Sequence, residues 1–81
     1  MILPKKHLSF EESVLGFSAY LLRFIEKKPS IDRLWSYYLY DYENDIYEVK
    51  FDFDQYIITI DYLFSIGAID IDEKGLLYIC N

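Results

Sequence analysis

One cysteine, one histidine, three glycines and two prolines are all that the 81 residues contain of those types. Cys80 alone cannot close an intrachain disulfide, which fits a reducing, cytoplasmic setting. A zinc centre wants three or four ligands, mostly His and Cys, so no metal or cofactor site is expected. A Ser-His-Asp or Cys-His device would have to use His7, close to the start of the chain. Three scattered glycines make no phosphate-binding loop. Met1-Ile2-Leu3 runs straight into Pro4-Lys5-Lys6 with no apolar core of a signal peptide, and no apolar run is long enough to span a bilayer. No repeat or low-complexity segment is visible. The sequence therefore reads as a non-enzyme.

Basic residues are scarce in the second half. Residues 1–40 hold six bases against four acids, a net +2. Residues 41–81 hold Lys50 and Lys74 against ten acids, a net −8, and the whole chain carries −6. Nucleic acid needs a basic footprint, so the acidic half argues against it and suits a basic partner instead. Lys5, Lys6, Arg23, Lys27, Lys28 and Arg33 form a weak basic patch, read most simply as a solvated face.

Aromatic residues are plentiful, with nine Tyr, six Phe and one Trp. A chain this short buries only about 60% of its unfolded surface. Two readings accommodate the excess: a surface that a partner covers, or a Tyr-rich core with hydroxyl tips in water. The length suits one domain, residues 1–81.

Residues 1–8 read as an extended segment, since Pro4 disfavours helix at Leu3. Ser9 with Glu12 reads as a capping box that opens a helix from Phe10 to Lys27. Phe10, Val14, Phe17, Leu21, Phe24 and Ile25 form its core face, with Gly16 in mid-helix. After Pro29, Ser30 caps a helix from Ile31 to Asp41 or Tyr42, whose core face is Ile31, Leu34, Trp35, Tyr38 and Tyr42. Residues 41–50 read as an acidic loop, with 46–50 alternating like a short strand.

Asp52 and Gln55 form a second capping box, Phe51 and Tyr56 are placed as a hydrophobic staple, and Gly67 stops the helix. At about 100° per residue, Phe53, Tyr56, Ile57, Ile60, Leu63 and Phe64 share the core face. Ile58, Tyr62 and Ile66 fall on nearly the opposite face, where a lone surface helix has no use for apolar residues. Leu15 and Leu22 lie off the core face of the first helix, as do Tyr37 and Tyr40 on the second. These seven are the candidate partner contacts. Ile69 and Ile71 alternate with Asp70 and Asp72, and the turn Glu73-Lys74-Gly75 before Leu76-Leu77-Tyr78-Ile79-Cys80 suits a bulged hairpin over 68–80. Three helices followed by a β-hairpin make an α+β domain with the order of a winged helix.

A winged helix suggests DNA, and the recognition helix is the place to test that suggestion. Residues 53–66 hold no Lys or Arg, and they carry Asp54 and Asp61 on one side. Asp70, Asp72 and Glu73 in the wing face only Lys74. Both elements repel phosphate. Nor do the clustered carboxylates follow a calcium-loop spacing. A DNA-binding regulator acting as a homodimer, and an acidic antitoxin-like inhibitor of a basic toxin, stand as alternatives to an adaptor.

Several runs together resemble a known family: Met1-Ile2-Leu3-Pro4-Lys5-Lys6-His7, Ser13-Val14-Leu15-Gly16, Arg33-Leu34-Trp35, Phe51-Asp52-Phe53, Ile60-Asp61-Tyr62-Leu63-Phe64-Ser65-Ile66-Gly67-Ala68-Ile69 and Gly75-Leu76-Leu77. The chain is similar to the middle component 6 class of prokaryotic three-component ABC-ATPase conflict systems, which are related to Lamassu-type defence. The resemblance covers nearly the whole chain in order. It implies a non-enzymatic adaptor that bridges an SMC/Rad50-like ABC ATPase and an effector, often a nuclease, against phage or plasmid DNA. It brings no catalytic motif. The acidic, Tyr-rich 41–50 loop has no counterpart in it.

Overall fold

The structure is a computed structural model that describes residues 13–80. Three helices, α1 (Val14–Ile25), α2 (Ile31–Glu43) and α3 (Phe53–Ser65), precede strands β1 (Ile69–Ile71) and β2 (Leu77–Ile79). This is the expected α+β order of three helices and a hairpin. The readings placed on residues 1–12, including the extended segment, the Ser9–Glu12 box, His7 and Phe10 as a core residue, lie outside the described residues.

α1 begins later than its sequence suggests. Ser13 is extended (φ −91°, ψ 162°) and its Oγ accepts from the Gly16 amide at 3.0 Å. Ser13 therefore caps α1, which starts at Val14. Gly16 becomes the third helical residue rather than a mid-helix one, and its N–H is one of the four that a helix start leaves without intrahelical partners. Lys28 takes a left-handed φ of 56°, its amide bonded to the Ile25 carbonyl, and the chain turns at Pro29. Ser30 Oγ then accepts from the Arg33 amide and starts α2.

α3 forms as its caps dictate. Asp52 Oδ1 accepts from the Gln55 amide at 2.8 Å, and Gln55 Oε1 accepts from the Asp52 amide at 2.9 Å. Gly67, at φ 76°, ends the helix in a conformation that a side chain resists. The Gly67 and Ala68 amides bond back to Phe64 and Leu63.

β1 and β2 pair antiparallel, with Ile69 opposite Ile79 and Ile71 opposite Leu77. Asp72 Oδ1 holds the turn by accepting from the Lys74 and Leu76 amides. The hairpin is tied to the helices by a bridge between Ser30 and Leu76 and by the Leu77 amide donating to the Pro29 carbonyl at 2.8 Å. The link between α1 and α2 thus lies beside β2 as a third, minimal strand.

The core is aromatic. Phe17, Leu21, Ile25, Leu34, Tyr38, Tyr56, Ile60, Leu63, Ile69 and Leu77 are all buried. Phe17 stacks on Phe51 at 4.1 Å and 6°, and Tyr20 lies 4.2 Å from Tyr47. Two residues expected in the core are exposed instead, Val14 at 42% and Phe53 at 44%. Phe53 meets Trp35 edge-on at 5.4 Å, on the margin of the core. The buried face of α3 is turned away from Phe53 and toward Thr59, which is 1% exposed and whose hydroxyl is satisfied there by donating to the Gln55 carbonyl within the helix. The strand expected over 46–50 is absent: residues 44–52 carry no strand, and Tyr47 and Phe51 drop their rings into the core from a loop.

Candidate functional site

The extra apolar residues of two helices meet. Leu15 and Leu22 lie on one side of α1, and Tyr62 and Ile66 on the facing side of α3. Together with Ser18, Ala19, Leu63 and Ala68 they line an open, almost wholly apolar groove of about 340 Å³. α1 contributes residues at i, i+3, i+4 and i+7, one continuous helical stripe. α3 contributes Tyr62 and Ile66, one turn apart, and Ala68 at the entry to β1 closes one end. Leu15 is 58% exposed, Ile66 56% and Tyr62 36%. Leu22 is half-buried and packs against the core.

Four of the seven residues singled out from the sequence therefore share this site. Ile58 is exposed one turn before Tyr62 on α3, outside the lining. Tyr40 is exposed on α2, near the exposed Leu39 and Ile46 in sequence. Tyr37 is half-buried, its ring 5.4 Å from Phe24. The small residues Ser18, Ala19 and Ala68 gave no signal in the sequence, because helical periodicity finds large apolar side chains and overlooks small ones at a groove floor.

Ser18 stands out at that floor. It is 3% exposed, and its Oγ has no hydrogen-bond partner among the described residues. A buried hydroxyl left unmatched costs about 1–3 kcal/mol, and most such groups in folded proteins are matched.

The other buried polar groups are occupied structurally. Tyr20 donates to Asp41 Oδ2 at 2.6 Å. Tyr38 donates to the Val49 carbonyl at 2.7 Å and accepts from the Phe51 amide, so one hydroxyl fixes both ends of that loop segment. Tyr56 donates to the Ile31 carbonyl at 2.7 Å. Burial pushes the phenols of Tyr20, Tyr38 and Tyr56 above the ordinary tyrosine range, and at Tyr20 the Asp41 carboxylate adds to the effect. A phenol held in its protonated form is a donor and a poor base, the opposite of what proton abstraction asks. Among the described residues no group of three or more His, Cys, Asp or Glu could hold a metal ion, and no helix is long and apolar enough to cross a membrane. What the groove offers is apolar area and a shape, which suit binding.

No match was found among curated proteins, and none among solved structures. A family model does match, over residues 3–80, nearly the whole chain, and its description is the ABC-three component (ABC-3C) system Middle Component 6. The protein belongs to that family and is a middle component of a multi-component ABC system.

Proposed function

We propose that this middle component is a non-enzymatic adaptor. It bridges an SMC/Rad50-like ABC ATPase and an effector subunit, often a nuclease, in a cytoplasmic complex that acts against phage or plasmid DNA. The observation that carries the reading is the meeting of Leu15, Leu22, Tyr62 and Ile66 in one apolar groove. Apolar side chains grouped on an exposed face suit a partner surface. Ile58 extends the surface along α3. Tyr40, and more weakly Tyr37, offer a second contact on α2, and two contact faces are what bridging requires.

Direct DNA reading is disfavoured by α3, which occupies the place of a recognition helix and exposes Asp54 and Asp61 with no Lys or Arg. An acidic inhibitor of a basic toxin is a weaker reading, since the groove is apolar and an electrostatic mask has no need of it.

Co-expression of the tagged chain with the ATPase and effector of its own system, followed by purification at moderate and high salt, tests the adaptor. Both subunits are expected to be retained at high salt, as an apolar contact predicts. The double substitution Ile58→Asp, Ile66→Asp is expected to abolish retention and leave the far-UV spectrum unchanged. A wild-type chain that retains neither subunit, yet binds a DNA fragment tightly, would sink the reading.

A further inference from the structure

We infer that the outer face of α3 docks on a basic polypeptide surface of a partner subunit, where an Arg or Lys meets Asp61, a second meets Asp54, and an apolar side chain covers Ile58. The inference rests on the adaptor reading and names the chemistry of one of its contacts.

The helix itself sets this face. α3 buries Tyr56, Thr59, Ile60 and Leu63. At about 100° per residue, Asp54, Ile58, Asp61 and Ser65 fall within about 60° of one another on the opposite side. All four are exposed. They make one straight stripe, in which Asp54 and Asp61 stand about 10 Å apart along the axis with Ile58 between them.

The fold accounts for Asp54 and leaves Ile58 and Asp61 without a use. Asp54 lies in the first turn, where the positive end of the helix favours a carboxylate. Asp61 lies beyond that reach. Asp is a poor helix former in mid-helix, and α3 holds no Lys or Arg to pair with it. Asp61 makes no hydrogen bond or ion pair among the described residues. Ile58 is 58% exposed and lies outside the core cluster. On a helix surface these two are neighbours, their Cβ atoms about 5–6 Å apart.

That adjacency selects the partner. A surface that covers Ile58 also takes water from Asp61, and a carboxylate removed from water needs a cation and hydrogen-bond donors. Arg meets both needs: its stem packs on an apolar residue while its fork holds a carboxylate. Nucleic acid would set phosphates against Asp54 and Asp61. A second copy docked through the same face would set carboxylate against carboxylate. A hydrocarbon surface would cover Ile58 and leave Asp61 unmatched. A basic polypeptide satisfies all three residues.

The test follows association of the full chain with the purified ATPase and effector of its own system, at low and high salt. Asp54→Asn with Asp61→Asn removes two charges and keeps the side-chain shape. Association at low salt should slow at least about tenfold, and the difference from wild type should close as salt rises, because steering by charge is screened. Retention at high salt then belongs to the apolar groove. Glu43→Gln with Asp45→Asn removes the same charge from exposed positions outside α3 and should leave the rate within about twofold of wild type. Asp61→Lys should weaken binding further than Asp61→Asn. The Tm of the isolated Asp61 variants should equal or exceed that of wild type, since the fold makes no use of this carboxylate.

Equal slowing by the two pairs would assign the effect to net charge, and an unchanged rate after Asp54→Asn with Asp61→Asn would place α3 outside the contact. Either result overturns the inference. So would a lowered Tm, which would give Asp61 a structural task, or a homodimer in sedimentation that Asp61→Lys dissociates, which would give the face to a second copy. In each of these cases the adaptor reading stands if the wild-type chain still co-purifies with the ATPase and effector. If it co-purifies with neither, the adaptor reading falls and this contact falls with it.

Discussion

Tyr20 on α1 donates its phenolic hydrogen to Asp41 Oδ2 at 2.6 Å, across 21 residues of sequence. Asp41 is only 9% exposed, near the end of α2. Its main-chain carbonyl also accepts from the Ile46 and Tyr47 amides, at 2.8 and 3.3 Å. One residue thus reverses the chain after α2 and receives the hydroxyl of a ring that lies 4.2 Å from Tyr47. The acidic, Tyr-rich 41–50 segment is organised around this pair.

Removing the donor should therefore cost more than altering the acceptor. Tyr20→Phe leaves a buried carboxylate without its partner, a loss of about 1–3 kcal/mol. For a chain of this size each 1 kcal/mol lowers Tm by about 4–8 °C. Asp41→Asn keeps a carbonyl oxygen for the same hydrogen bond and should cost less. Thermal unfolding followed by circular dichroism checks the order, and equal Tm values for wild type and Tyr20→Phe would contradict it.

Alkali should destabilise the protein early. Burial raises the pKa values of Tyr20, Tyr38 and Tyr56, with Asp41 reinforcing the shift at Tyr20 and the charge of Asp32 at Tyr56. In the unfolded chain these phenols ionise near pH 10. Above that pH the unfolded state binds fewer protons than the native one, so stability falls as pH rises. Below it the contribution is fully present. The Tm measured in a series of buffers should be flat at neutral pH and drop steeply beyond about pH 10. The drop should be shallower in Tyr56→Phe.

Phe17 is the centre of the ring cluster. It is fully buried, and its ring lies within 6.3 Å of the rings of Tyr20, Tyr38, Tyr47, Phe51 and Tyr56. Phe17→Ala should cost about 3–5 kcal/mol, a large share of the 5–15 kcal/mol available to a typical domain. Urea titration should show a midpoint shifted to low denaturant or a chain unfolded in water. A midpoint near that of wild type would mean that Phe51 and Tyr56 hold the loop to α3 without it.

The two Asx-type anchors should behave locally. Asp52→Ala removes the cap of α3 at a cost of about 1 kcal/mol, and Asp52→Asn restores most of it. Asp72 accepts from Leu76 and Lys74 amides, and those bonds hold its carboxyl below the ordinary range. The turn is accordingly at full strength above the unfolded carboxylate pKa and loosens as pH falls through the lowered one. Hydrogen exchange at the Leu76 amide should quicken in Asp72→Ala with the helices unaffected.

How much of this was legible in the sequence follows the range of each interaction. α3 is written locally: Asp52, Gln55 and Gly67 are each within three residues of the groups they satisfy. The Ser30 cap and the Gly75 turn are equally local, so the start of α2 and the hairpin were readable. So was the surplus of apolar residues on α1 and α3, since periodicity marks large side chains that one core face cannot use. Family membership was legible in the same way, from runs of residues in order.

Other features needed the tertiary structure. Ser9 and Ser13 both carry capping chemistry, and only the observed backbone shows Ser13 extended and bonded to Gly16. Alternation at 46–50 suggested a strand, but a strand needs a neighbouring ladder. Here the Phe51 amide and the Val49 carbonyl are taken by the Tyr38 hydroxyl instead. Thr59 rather than Phe53 joins the buried face of α3, its hydroxyl satisfied inside its own helix, while Phe53 lies at the margin beside Trp35. The groove is the clearest case. The sequence placed Leu15 and Leu22 on one helix and Tyr62 and Ile66 on another, and the packing of α1 against α3 brought them together over Ser18. Contacts within a few residues are determined by the sequence itself, while contacts between elements depend on how the helices rotate to bury the largest common surface.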